Sequence, residues 1–367
     1  MAYDKVVDSA VLDGYFEDIA DAIRDKGGSG TFTPAQMPDE IAALPSGGND
    51  PDLIALMAGT ATGSVTIRNV TDMDSCRICL GKGFSSGGSG ITELHMPDLE
   101  FFCSSYSSYI AMTGGLVDVT GTSSASDTAK LEVLDIPKCK TLFIGPVGSP
   151  SAAGYYFANL RTLNAPKLEK FSGALVHTQL TELDLPELVE ARGLWAFTNN
   201  THLARVSVPK LLTCGQAAFK GCSALTSFSA PVLTRAETEA FRDCTSLTDV
   251  RFPSYTDAVT SGLFNTCTAL EVADMYKASQ VANLAFKACA ALKALVLRNT
   301  TLVSLQQTYA FTGSGVEAGT GYIYVPRDLI ATYQAATNWV TFATQFRALE
   351  DYTDDGTLSG EFILPAN

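Results

Sequence analysis

One phrase of nine residues recurs along the second half of the chain and constrains the fold more than any other feature. It reads LTELDLPEL from Leu180, LARVSVPKL from Leu203, LTSFSAPVL from Leu225 and LTDVRFPSY from Leu247, then weakens to LEVADMYKA at 270 and LKALVLRNT at 292. The leading leucines are separated by 23, 22, 22, 23 and 22 residues. A fixed period of this length predicts a solenoid, in which each repeat buries its apolar side against its neighbours.

The alternation inside the phrase predicts a short strand with two different faces. Leu183 and Leu185 are expected to point inward, and Glu182 and Asp184 outward. A proline at the seventh position ends the strand, because it cannot donate to a ladder. These prolines are Pro97, Pro137, Pro166, Pro186, Pro209, Pro231 and Pro253.

A second apolar block, A-F-x-x-C, follows each strand. Its phenylalanines are Phe219, Phe241, Phe264 and Phe286, and its cysteines are Cys222, Cys244, Cys267 and Cys289. Because both types recur at one repeat position, we expect two buried columns, with the cysteines acting as small apolar residues rather than forming disulfides.

The repeat continues towards the N-terminus in a less regular form, as ITELHMPDL at 91, LEVLDIPKC at 131 and LRTLNAPKL at 160. Two insertions rich in Ser, Gly and Tyr, at 101–129 and 145–156, interrupt these early repeats. Insertions in a solenoid form loops that often lie on the binding side. The tyrosines of these insertions are candidate binding residues, with inert loops as the alternative: Tyr106, Tyr109, Tyr155 and Tyr156.

The outward strand positions are the second candidate binding surface. They vary in charge and size while the inward positions stay apolar, as expected of either a recognition face or an unconstrained solvated face. The charged candidates are Glu182, Asp184, Arg205, Asp249 and Arg251. The same columns continue through Val272, Asp274, Ala294 and Val296.

Both ends of the chain differ from the repeats. Residues 3–26 show the stripe of an amphipathic helix through Leu12, Phe16, Ile19 and Ile23. We therefore predict an N-terminal helical module at 1–49, used for attachment and for homo-oligomer formation. The solenoid would cover 50–325, a C-terminal helical cap 326–352 and a tail 353–367.

Composition and residue content exclude several functions. The net charge of −14 disfavours nucleic acid, whose binding requires clusters of Lys and Arg. Near the start, acidic residues stand where a signal peptide needs a basic and apolar start, and no apolar run is long enough to span a membrane. We therefore expect synthesis in the cytoplasm, without membrane insertion or export by the general route.

Catalytic and metal sites are not indicated. The histidines are His95, His177 and His202, and none has the partners that a nucleophile needs. Cys76 and Cys79 form a single C-x-x-C without a second ligand pair. We expect no enzyme activity, no metal and no cofactor; a concealed carboxylate pair is the one catalytic alternative left open.

The L-x-x-L-x-Φ-P-x-L phrase with A-F-x-x-C at this period resembles the BspA-like leucine-rich repeat family over residues 91–325. Two flanking stretches are similar to parts of leucine-rich-repeat proteins from tailed bacteriophages and prophages of Gram-positive hosts. They are IADAIRDKGGSGTFTPAQMPDEIAAL at 19–44 and YIYVPRDLIATYQAATNWVTFATQFRALEDY at 322–352. The chain departs from the family pattern between 97 and 160, and at Tyr276 and Arg298, where the proline is missing.

This resemblance implies a non-enzymatic protein of a phage tail or baseplate. The module at 1–49 would bind other virion proteins, and the solenoid would bind a glycan or protein of the host surface, which places the chain in the virion. Two alternatives are a capsid decoration or neck protein without a receptor, and a leucine-rich-repeat adhesin of the bacterial cell surface.

Overall fold

The computed structural model describes residues 51–52, 55, 61–70, 77–79, 90–102, 115–117, 131–145, 157–192 and 195–351. The predicted N-terminal module and tail lie outside these ranges, as does most of both insertions. The candidate residues outside them are Leu12, Phe16, Ile19, Ile23, Tyr106, Tyr109, Tyr155 and Tyr156.

The predicted strands form a parallel ladder along one side of the solenoid, which we call the front face. Each described strand pairs with the strand of the adjacent repeat, in sheets of four, three and five strands. The front-face strands are Thr62–Thr66, Gly90–His95, Val133–Asp135, Thr162–Asn164, Glu182–Asp184, Arg205–Ser207, Ser227–Ser229, Asp249–Arg251, Val272–Asp274, Ala294–Val296, Tyr322–Val325 and Phe346–Ala348. The predicted alternation is confirmed in the repeat that begins at Leu180, where Leu183 and Leu185 are buried and Glu182 and Asp184 are exposed.

A second set of parallel strands, which the sequence analysis did not predict, runs along the adjoining side in sheets of eight and two strands. Most of these strands follow the turn that ends a front-face strand, and several have only two residues. They are Arg77–Cys79, Phe101–Phe102, Gly115–Val117, Thr141–Gly145, Lys170–Gly173, Glu190–Arg192, Thr213–Cys214, Arg235–Ala236, Gln280–Val281 and Ser304–Leu305. A strand of two residues has no room for an alternating pattern, so periodicity could not reveal it.

The third side carries the phenylalanine column, which is buried as predicted. Successive rings stack, with centroids 5.3 Å apart for Phe197 and Phe219 and 5.9 Å apart for Phe219 and Phe241. The stack continues through Phe264, Phe286 and Phe311. Each stacked pair contributes about 0.5–1.5 kcal/mol beyond simple burial, so the column joins the repeats in series.

The turns that carry these phenylalanines pass twice through the left-handed backbone region. One such position precedes the Ala-Phe pair and the other follows it by two residues; the non-glycine examples are Trp195, Asn199, Ala217, Glu239, Asp243, Thr266, Leu284 and Ala288. Gly221 holds the second position in its repeat, with φ of 72°. A Cβ at Gly221 would also overlap the side-chain oxygen of Asn199, so this repeat requires glycine for two reasons.

The C-terminal segment departs from the predicted run of helical turns across 327–350. It contains 3-10 helices at Arg327–Leu329, Trp339–Gln345 and Leu349–Asp351, and an α-helix at Ile330–Ala335. Phe346–Ala348 is instead a strand that pairs with Tyr322–Val325. Tyr333, Trp339, Phe342 and Phe346 are buried as expected, and Leu329 is half-buried.

Hydrogen bonds join this segment to the last repeat. The Trp339 indole donates to the Val303 carbonyl oxygen at 2.7 Å, and the Val303 amide donates to the Tyr333 hydroxyl at 3.0 Å. The side chains that cover the last phenylalanine are therefore held by polar contacts as well as by packing. Among the described residues, no helix is long and apolar enough to cross a membrane.

Candidate binding surface

The middle of the front face presents a polar, exposed row of side chains. The parallel register aligns Glu182 with Arg205 and Ser227 on three successive strands. The Arg205 guanidinium lies 2.6 Å from a Glu182 carboxylate oxygen, with about two thirds of each side chain exposed. Because water surrounds such a pair, it contributes little to stability, and its charges are available to a ligand.

The five charged candidates fall on the same face but not in one cluster. Glu182, Asp184 and Arg205 lie on adjoining strands and are exposed. Asp249 and Arg251 lie two strands beyond Arg205 and are half-buried, with the Arg251 Nε atom 3.5 Å from Asp249 Oδ2. The structure therefore places them as parts of one extended surface rather than as a compact pocket.

The early repeats bring together a hydrogen-bonded group that the sequence analysis did not recognise. His95 lies between two carboxylates, with Nδ1 3.0 Å from Asp135 Oδ2 and Nε2 3.3 Å from Glu93 Oε2. The Asn164 amide donates to the other Asp135 oxygen at 2.6 Å. His95, Asp135 and Asn164 share the fifth phrase position, which could have predicted their contact despite the intervening insertion.

These carboxylates change the ionisation of the imidazole. The hydrogen bond that the His95 imidazole donates to the Asp135 carboxylate is the main cause that raises the pKa of His95, with a smaller contribution from Glu93. The pKa of Glu93 is lowered, mainly by its hydrogen bond with Ser64 and next by its hydrogen bond with His95. This end of the front face is therefore polar, and its imidazole holds a proton more strongly than an isolated histidine does.

The C-terminal end of the front face contradicts the expectation of an open outward column. Val272, Ala294 and Val296 occupy outward positions yet are fully buried, and Asp274 is 7% exposed. Arg298 reaches back to Asp274, with Nη2 2.7 Å from Oδ2. The burial follows from side chains on the outer side of the sheet, so the recognition surface predicted from alternation alone is too long.

The two missing prolines also belong to this region. Where other repeats carry proline, the Tyr276 amide donates to Asp274 Oδ1 at 3.0 Å and the Arg298 amide donates to the Tyr276 carbonyl oxygen at 2.6 Å. Proline has no amide hydrogen to satisfy. Tyr276 and Arg298 can replace proline here because the backbone amide of each has a hydrogen-bond acceptor.

Potential metal ligands do not cluster in the described part of the structure. That part contains no group of three His, Cys, Asp or Glu side chains that could hold a metal ion. His177 is half-buried near Asn199, whose Nδ2 lies 3.4 Å from Nε2, and His202 is exposed. Burial raises the pKa of the Cys222 thiol to about 12, which makes it a poor nucleophile.

Part of the repeat matches the model of a known family. Residues 155–233 and 210–317 match the BspA type leucine rich repeat region, with six copies. No curated protein sequence matches the chain.

Several solved structures resemble parts of the chain. A leucine-rich repeat protein of T. pallidum is 21% identical, with 39% of this chain and 81% of that one covered and a TM-score of 0.32. A leucine-rich repeat protein of Bacteroides ovatus is 13% identical, covering 78% and 95%, with a TM-score of 0.27. A leucine rich cell surface protein of Faecalibacterium prausnitzii is 13% identical, covering 77% and 93%, with a TM-score of 0.23.

Proposed function

We propose that the chain is a non-enzymatic binding protein whose front face binds a glycan or protein of a bacterial surface. This proposal starts from the match of residues 155–317 to the BspA type leucine rich repeat region. The observation that carries this proposal is the exposed polar row from Glu182 to Ser229, held in register by a rigid parallel ladder. Such a row gives a ligand several polar contacts at fixed spacing, about 4.8 Å between strands.

The proposed setting is the tail or baseplate of a phage, with residues 1–49 attaching the solenoid to the virion. The two flanking stretches at 19–44 and 322–352 support it, through their similarity to phage leucine-rich-repeat proteins. A cell-surface adhesin uses the same front face, so the binding proposal and the setting are tested separately.

Binding is tested with the purified full chain and whole Gram-positive cells, including the strain that encodes the chain. We compare Arg205→Glu, on the exposed front face, with Lys287→Glu, an equal charge change in the exposed turn that carries Phe286. Binding through the front face predicts a loss of about tenfold or more for Arg205→Glu, corresponding to about 1.4 kcal/mol, and no change for Lys287→Glu. Equal effects of the two substitutions, or no binding to any cell, would contradict the proposal.

The setting is tested by fractionating cultures of the encoding strain after prophage induction. An antibody against the chain should detect it in purified virions and not in the cell-wall fraction. Detection in the cell wall alone would favour the adhesin, while detection in virions without cell binding would favour a decoration or neck protein.

A further inference from the structure

The front face ends in an edge strand at each end of its described part. Thr62–Thr66 is the terminal strand of the four-stranded sheet, and Phe346–Ala348 is the terminal strand of the five-stranded sheet. An edge strand presents backbone amides and carbonyls that can pair with a strand of another molecule. Each of these two edges is therefore a place where a second chain could continue the ladder.

The pairing pattern shows which backbone groups face each edge. The amide of the inward Ile67 donates to the carbonyl oxygen of the outward His95, on the following strand, at 2.9 Å. Inward residues thus pair with the following repeat, and outward residues with the preceding one. Thr66 is in register with the outward His95 and so faces the N-terminal edge, whereas Phe346 is in register with the inward Ile323 and faces the C-terminal edge.

A carboxylate holds the backbone group at the N-terminal edge. The Thr66 amide donates to Asp52 Oδ2 at 3.3 Å, and both residues are half-buried. Asp52 thus lies on the side of this strand where a preceding strand would pair. The amide can reach the carbonyl of an incoming strand only after the carboxylate has moved away.

A guanidinium holds the backbone group at the C-terminal edge. Arg347 Nη1 donates to the carbonyl oxygen of Phe346 at 2.8 Å and to that of Thr344 at 2.9 Å. The guanidinium carbon also lies 4.1 Å from the centre of the Tyr322 ring, in a cation–π contact. The backbone and the ring therefore fix the guanidinium at an acceptor that an incoming strand would need.

We propose that Asp52 and Arg347 close the two edges of the front-face ladder against end-to-end stacking of copies of this chain. The two edges are complementary, because one presents the groups of outward residues and the other those of inward residues, as successive repeats do within the chain. Such head-to-tail pairing does not close on itself and would build a filament. Stacking has to displace both side chains, whose hydrogen bonds are strengthened by their charge.

Sedimentation of the full chain measures the predicted association. Asp52→Ala/Arg347→Ala should form species of at least about twice the mass of the unsubstituted chain at the same concentration. The matched control, Arg235→Ala/Asp257→Ala, removes an ion pair of 3.1 Å from the second set of strands and should leave the mass unchanged. An unchanged mass in the first variant, or an equal gain in the control, would overturn the proposal. A lower mass would do so too, since it would show that the two charges join copies.

Mixing the single variants tests the head-to-tail geometry. Asp52→Ala opens only the N-terminal edge, and Arg347→Ala opens only the C-terminal edge. Their equimolar mixture should contain a species of about twice the unsubstituted mass and nothing longer, because each chain of the pair keeps its other edge closed. No gain in mass on mixing, or growth of either variant alone to the size reached by the double variant, would contradict the proposal.

Hydrogen exchange distinguishes a continued ladder from unspecific aggregation. The amides of Phe346 and Ala348 face the C-terminal edge, so they should exchange about tenfold or more slowly in the assembled double variant than in the unsubstituted chain. Unchanged exchange in the assembly would place the contact elsewhere and refute the proposal. Cooperative unfolding in urea confirms that each variant folds, and Asp52→Ser/Arg347→Thr replaces the alanine pair if it does not. None of these measurements depends on what the front face binds.

Discussion

The thiol of Cys244 donates a hydrogen bond to the carbonyl oxygen of Phe219, one repeat earlier, at 3.1 Å. The same carbonyl accepts the amide of Cys222 at 3.2 Å, so the thiol occupies its second acceptor position. Equivalent thiol bonds are those of Cys222 to Phe197, Cys267 to Phe241 and Cys289 to Phe264. The cysteine column is therefore a chain of weak donors between successive repeats, in addition to the small apolar packing predicted from its spacing.

These thiols should be inert in the folded protein. Burial raises the pKa of Cys222 and of Cys289 to about 12 and that of Cys244 well above its ordinary value, so almost no thiolate exists at pH 8. Peptide mapping after iodoacetamide treatment should find the four column cysteines unmodified in the native protein and modified in urea. Ser229→Cys, at an exposed position, supplies the reactive control. Rapid native labelling of the column would contradict the structure.

The turn positions in the left-handed region predict opposite effects of two reciprocal substitutions. Gly221→Ala should lower the free energy of unfolding by about 1–2 kcal/mol, because the new Cβ is disfavoured at positive φ and overlaps the Asn199 side chain. Ala288→Gly, at the matching position with φ of 59°, should raise it by about 0.5 kcal/mol, since relief of backbone strain exceeds the entropy cost of glycine. Urea denaturation measures both, and a stabilising Gly221→Ala would refute the assigned turn.

The ion pair between Arg298 and Asp274 should be worth far more than the one on the open front face. Its side chains are only 12% and 10% exposed, so removing Arg298 leaves a nearly buried carboxylate. We expect Arg298→Ala to cost about 3 kcal/mol. Arg205→Ala, which breaks the exposed pair with Glu182, should cost less than about 1 kcal/mol. Double-mutant cycles for the two pairs give the comparison, and similar coupling energies would contradict it.

Two histidines should give opposite pH dependence of stability. The pKa of His95 is raised, mainly by Asp135, so its stabilising contribution is fully present below about pH 6.5, the ordinary value. It is lost as the pH rises through the raised folded-state pKa. Burial lowers the pKa of His177, so its contribution is present at higher pH and is lost as the pH falls through the folded-state pKa.

Unfolding free energies of His95→Gln and His177→Gln at pH 5.5 and 8.5, each compared with the unchanged protein, test both signs. The loss caused by His95→Gln should be larger at pH 5.5, and the effect of His177→Gln should move in the other direction. A loss for His95→Gln that does not vary with pH would show that its carboxylate contacts do not form in solution.

Several structural features followed directly from periodicity. Leu183, Phe219 and Cys244 each belong to a column of apolar residues that recurs at one repeat position, and a solenoid buries such a column along its length. The exposed positions of Glu182 and Arg205 followed from the same alternation. Their use as binding residues, and that of the tyrosines in the insertions, stays a prediction.

Other features could not be inferred from local pattern. The strand Thr213–Cys214 is too short to alternate, and it forms by pairing with strands of the neighbouring repeats. The strand Phe346–Ala348 follows helical turns, and its extended form depends on pairing with Tyr322–Val325. Each of these depends on a partner that is distant in sequence.

The sequence by itself determined the repeat, its length, the inward leucines and the phenylalanine and cysteine columns, because these depend only on a spacing that every repeat satisfies in the same way. Only the tertiary structure decided which outward positions meet water. Arg205 and Val296 occupy equivalent faces of equivalent strands, yet one is exposed and the other is fully enclosed. Alternation specifies the side of the sheet on which a residue lies, whereas its exposure depends on what else packs against that side.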